Sequence, residues 1–159
     1  MIVVREMVFS FVVRRLHWVA QVPLAPEIFD AILLASTAMF HRERLEAMEE
    51  VEEMVLRLPG VQLCRHKFGG VGFAWDGREF GHRHGNGLLD VKVNRRIAER
   101  LILSGRAEPH HVFGRSAWVS FWIGGREDVA KAVTLLRAGW EIPARPSGST
   151  HLWASLRVS

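Results

Sequence analysis

At 159 residues the chain is one ordinary domain, long enough to bury about 68–70% of the surface its unfolded form exposes, so folding requires neither a disulfide nor a metal. A single cysteine, Cys64, excludes an intramolecular disulfide and any Cys-rich zinc site, and fits a reducing compartment, with the cytoplasm as the default. The formal net charge of +4 comes mostly from arginines dispersed along the sequence, whereas nucleic-acid binding requires a patch rather than a total.

Residues 1–22 are apolar but interrupted by Arg5, Glu6, Arg14, Arg15 and His17. No run reaches the roughly 20 residues of a membrane helix, and the charges follow the apolar start, unlike a secretory signal. An extra strand or amphipathic arm is expected, packing on another copy to give a homodimer. Pro26 suits the first turn of a helix beginning near Glu27, and residues 23–58 are read as a helical segment. Ile28, Ile32, Ala35 and Met39 keep helical spacing, and Leu45, Met48, Val51 and Val55 resume it after a polar step, giving one long helix or two with a joint near residue 41. Glu49, Glu50, Glu52 and Glu53 are read as a solvated helix face without chemistry.

Leu58-Pro59-Gly60 stops the helix, and residues 59–142 form the main α+β unit. Val61 to Arg65 opens a sheet, and Asp76-Gly77 marks a two-residue hairpin turn, both central positions of which require positive φ. Regular pairing sets Trp75 against Arg78, Phe73 against Phe80 and Val71 against His82. Arg78, Phe80, His82 and His84 then share the apolar face with Val71 and Phe73, while Glu79 and Arg83 point the other way. After a flexible Gly85-Asn86-Gly87 turn, Leu88 to Val93 forms a strand with Asp90 opposite Leu89 and Val91. Asn94 caps a helix ended by Gly105. Ala107–Phe113 and Ala117–Ile123 read as two strands, and a last helix starts at Glu127 and Asp128 and stops at Gly139. Residues 143–159 are a Pro/Ser/Gly-rich loop and tail. The expected fold is a single α+β domain, a mostly antiparallel sheet with helices packed on one face.

Residues 58–139 resemble the luciferase-domain family, which includes the oxygenases of bioluminescent fungi. The resemblance rests on Leu58-Pro59-Gly60-Val61, on Gly77-Arg78-Glu79-Phe80-Gly81-His82-Arg83-His84-Gly85, on Gly105-Arg106-Ala107-Glu108-Pro109-His110-His111, and on Trp118-Val119-Ser120-Phe121 before the Glu127-Asp128 helix. It implies a small-molecule site without organic cofactor, at which a hydroxylated, aromatic ligand is bound and oxidised.

On that reading His82, His84, Arg78 and His110 are the candidate catalytic residues. A neutral histidine takes a hydroxyl proton, and Arg78 or Arg106 stabilises the resulting charge. Glu79, His111, Arg106 and Trp118 are candidate ligand contacts, with Glu79 as an orienting group. No metal is assigned. The alternative is an ion held by the H-x-H pair with His110, Glu79 or Asp90 as third ligand. A different class of alternative is a nucleic-acid or protein-binding module, similar in layout to small bacterial YjbR-like domains and using Arg95, Arg96, Arg100 and Arg106 beside Trp118 and Trp122. His17, His41, His66 and His151 are read as isolated surface residues, and Cys64 as a small buried hydrophobe.

Overall fold

The computed structural model describes residues 24–112 and 114–144. The expected N-terminal arm with its dimer contact, His17, and residues 145–159 with His151 lie outside the described residues. Helix α1 (Ala25–Phe40) begins with Pro26 in its first turn, as its fixed φ favours, and helix α2 (Arg42–Leu56) follows directly. The joint is His41, at φ −143° and ψ 57°, so the periodic pattern is two helices.

Six strands follow: β1 (Val61–Arg65), β2 (Val71–Trp75), β3 (Arg78–Arg83), β4 (Leu88–Lys92), β5 (Glu108–His110) and β6 (Gly114–Trp122). Helix α3 (Arg95–Leu103) joins β4 to β5, and a 3₁₀ turn (Arg126–Asp128) leads into helix α4 (Val129–Ala144). The sheet order is β1-β2-β3-β4-β6-β5, with every neighbouring pair antiparallel. The fold is α+β, as the segregation of helical and strand periodicities implies.

Helix α4 lies against β2, β3 and β4, while α2 packs beside α4 and against β1. Met48, Val51 and Val55 from α2, Leu136 from α4, and Phe73, Leu89, Val91 and Val119 from the sheet are fully buried in one core. Each such side chain stabilises the fold by about 1.5–3 kcal/mol through removal from water. Gly139 does not end α4. A Cβ there would lie 2.7 Å from Val91 Cγ1 and 3.0 Å from the Lys92 carbonyl oxygen, so the glycine lets the helix approach β4 closely. Gly85 serves a similar purpose, since a Cβ on it would lie 2.5 Å from the backbone nitrogen of Leu34 in α1.

The Asp76-Gly77 turn forms, with φ of 50° and 69°, and Trp75 pairs with Arg78 as expected. Beyond that pair the register departs from regular pairing. Ala74 pairs with Glu79, but Phe73 pairs with Gly81, Gly72 with His82 and Val71 with Arg83, because a bulge absorbs Phe80. One extra residue reverses the faces of everything after it. His82 therefore lies on the side opposite Phe73, and Glu79 falls on the same side as His82 rather than away from it. The strand expected over residues 107–113 is shorter than its sequence pattern, because an irregularity between Pro109 and His110 ends β5 at His110.

Candidate functional site

The cross-strand register of the sheet builds the site. His82 on β3 faces Asp90 on β4, and Asp90 faces Ser120 on β6. All three lie on the side turned away from Phe73, Val91 and Val119, so polar groups collect opposite the apolar core. Asp90 is completely buried. Its Oδ1 accepts a 2.5 Å hydrogen bond from the Ser120 hydroxyl. Four imidazoles surround the carboxylate: His82 Nε2 at 3.4 Å, His111 Nδ1 at 3.6 Å, His110 Nε2 at 3.8 Å and His84 Nε2 at 3.9 Å. Burial alone would raise the Asp90 carboxyl, but the His111 and His82 interactions outweigh it and hold the group far below the usual carboxylate range.

Glu79 forms a second node. Its Oε1 accepts hydrogen bonds from Nδ1 of His66 and Nδ1 of His82, both at 2.9 Å. The two rings stack with centroids 3.6 Å apart. Desolvation pushes the Glu79 carboxyl up, yet hydrogen bonds from His66 and His82 bring it down to about 2. Desolvation also lowers His66 and outweighs the raising effect of Glu79. In His82 the balance reverses: burial disfavours the charged ring, but Asp90 and Glu79 together raise its pKa. His110 is held down to about 4, chiefly by desolvation.

Other groups fix the edges of the cluster. Asp30 of α1 accepts a hydrogen bond from the Gly85 N–H at 2.8 Å and lies 3.4 Å from His84 Nδ1. The Val112 N–H donates to His110 Nδ1 at 3.1 Å, which assigns the ring proton of neutral His110 to Nε2. Trp118 is half-buried beside His82, with ring centroids 5.4 Å apart, and 6.0 Å from that of His110.

His82, His84, His110, His111, Glu79 and Trp118 thus meet at one place. Arg78 and Arg106 are exposed, whereas His82, His84 and His110 are buried and His111 is partly buried. The buried arginine is Arg83, whose Nη2 donates to Glu52 of α2 at 2.8 Å. His66, expected on the surface, is buried and belongs to the cluster, because β1 delivers the chain to the Glu79 side of the sheet. Cys64 is only half-buried, with Sγ 3.9 Å from Glu79 Oε2, and burial followed by Glu79 raises its pKa. Asp30 has no sequence signal, standing on a helix 55 residues before its Gly85 partner. Among the described residues no helix is long and apolar enough to cross a membrane.

The run from β3 through β6 and into α4, with its cluster of imidazoles around Asp90, matches a known family model over residues 77–139. This segment is similar to the Luciferase domain family. The match covers less than half of the chain, and within it fall Glu79, His82, His84, Asp90, His110, His111, Trp118 and Ser120. The cluster within the matched segment is completed from outside it by His66 and by Asp30 of α1. No curated protein and no solved structure matches the chain.

Proposed function

We propose that the chain binds a small hydroxylated, aromatic ligand beside the His66–Glu79–His82 edge of the cluster and transfers the ligand's hydroxyl proton to His66, with no organic cofactor. The observation that supports this reading is the Glu79 carboxylate held between two imidazole Nδ1 atoms. An ionised carboxylate only accepts, so each Nδ1 carries its ring's proton. The neutral His66 ring then offers Nε2 as a lone pair, the same division of labour by which a buried carboxylate fixes the tautomer of a catalytic histidine. Desolvation keeps His66 neutral and able to accept a proton.

Trp118, whose ring lies 5.4 Å from that of His82, gives the ligand's ring an apolar surface. Loss of the hydroxyl proton leaves an electron-rich anion, the form required for the reaction with dioxygen that kinship to a luciferase domain suggests. Arg78 and Arg106, being exposed, are assigned no part.

The test uses a phenol whose absorption changes on ionisation. Bound to the wild-type chain below its own pKa, the probe should show the phenolate spectrum. With His66→Ala it should still bind, by thermal shift, but remain a neutral phenol. A probe that binds without ionising, or ionises equally with His66→Ala, contradicts the reading.

A further inference from the structure

We propose that His82, Asp90 and His110 hold one divalent transition-metal ion. The inference is independent of the ligand reading, since it concerns the Nε2 side of His82 and does not involve His66. Glu79 accepts the Nδ1 hydrogen of His82 at 2.9 Å, so the neutral ring turns a lone pair on Nε2 toward Asp90 Oδ2, 3.4 Å away. With the ring neutral, two acceptors face each other inside the protein, and either a second proton on His82 or a metal ion fits between them.

The distance discriminates between a proton and a metal. A charge-assisted N–H···O bond closes to about 2.7–2.9 Å. Two ligand atoms about 2.0–2.2 Å from a shared tetrahedral ion lie about 3.4 Å apart. The observed spacing fits the ion. Asp90 Oδ2 is fully buried and accepts no hydrogen bond among the described residues, whereas Oδ1 is occupied by Ser120. The ligand atoms of His82, Asp90 and His110 all lie within 4.8 Å of one another. His84 stands beside this trio, its Nε2 3.9 Å from Oδ2 and its Nδ1 facing Asp30 at 3.4 Å.

The supporting groups follow the pattern of a metal centre. Glu79 behind His82 and Asp30 behind His84 are carboxylates on the far ring nitrogens, and Ser120 fixes the orientation of Asp90. His110 ligates through Nε2 once its ring proton moves to Nδ1 and the Val112 contact opens. The competing trio, His66, Glu79 and His82, is already closed by hydrogen bonds of ordinary length, leaving no gap for an ion. Two imidazoles and one carboxylate, without thiolate, select zinc or iron(II) over softer ions.

The experiment is a cobalt(II) titration of the chelator-treated full chain, followed by visible absorption and by elemental analysis after desalting. The expected result is about one cobalt per chain with a ligand-field band of nitrogen and oxygen ligation. Asp90→Asn and His82→Ala should abolish the band. Glu79→Gln, which leaves all three ligands in place, should weaken binding by about 10–100-fold. His41→Ala, at the exposed helix joint, should change nothing. Wild-type protein that retains no cobalt, or Asp90→Asn that binds it as tightly as wild type, overturns the assignment. Should His82→Ala or Asp90→Asn fail to fold, the wild-type stoichiometry and the Glu79→Gln affinity still decide. Neither result depends on phenol ionisation, so this proposal and the ligand reading fail separately.

Discussion

Ser120 donates its hydroxyl to Asp90 at 2.5 Å where the carboxylate has no solvent exposure. Removing it with Ser120→Ala strips the buried Oδ1 of its hydrogen bond, and is expected to cost about 1–3 kcal/mol in chemical denaturation. Glu79 sets a pH dependence. Its carboxyl is held to about 2 in the folded chain, against roughly 4.3 when unfolded, so its contribution is fully present above the unfolded value. That contribution is lost progressively as pH falls toward the folded value. In acid titrations of the chelator-treated protein, Glu79→Gln should flatten the stability curve over this window, measured as the denaturation midpoint at each pH. Single-residue chemistry was partly legible in the sequence. The H-x-H pair and the His110-His111 pair announced themselves by repetition, and Asp90 by its alternation against Leu89 and Val91. His66 carried no such mark, because what makes it part of the site is a carboxylate two strands away.

At the scale of elements, one bulge decides the site. The Asp76-Gly77 turn is a local signal and was readable from its dipeptide, but the absorption of Phe80 depends on the core that receives it, where Phe80 is 2% exposed. Reading the hairpin as regular placed His82 among the apolar side chains and turned Glu79 away. The bulge reverses both, and it is what joins Glu79 to His82. Deleting Phe80 should restore regular pairing with Glu79 and His82 two positions apart and still on one face, which a crystal structure of the variant would show directly. Gly139 was misread for a related reason: a glycine near the end of a helical pattern looks like a stop, and only the sheet beneath it reveals a close approach. Gly139→Ala is expected to destabilise by about 1–3 kcal/mol, through overpacking on Val91 and the Lys92 carbonyl, in thermal denaturation.

For the whole molecule, the antiparallel α+β architecture followed from periodicity, since strands of period two and helices of period 3.6 occupy separate stretches. The strand order did not, because β6 inserts between β4 and β5, and nothing local specifies that long-range pairing. This order brings Ser120 next to Asp90 and Trp118 near His82, so the site is a property of the assembled sheet. An ion bound only by the folded chain stabilises it by mass action, about 2.7 kcal/mol at 100 times its dissociation constant. For a chain of this length that corresponds to a rise of roughly 5–10 °C in Tm. The rise should appear with added zinc or cobalt and vanish in Asp90→Asn. The most direct test of the central claim, that Glu79 fixes His66 as a neutral base, is the nitrogen-15 tautomer spectrum of the histidine side chains at neutral pH. The account predicts His66 neutral, with its proton on Nδ1 and Nε2 unprotonated. A His66 ring protonated on Nε2, or on both nitrogens, would contradict it.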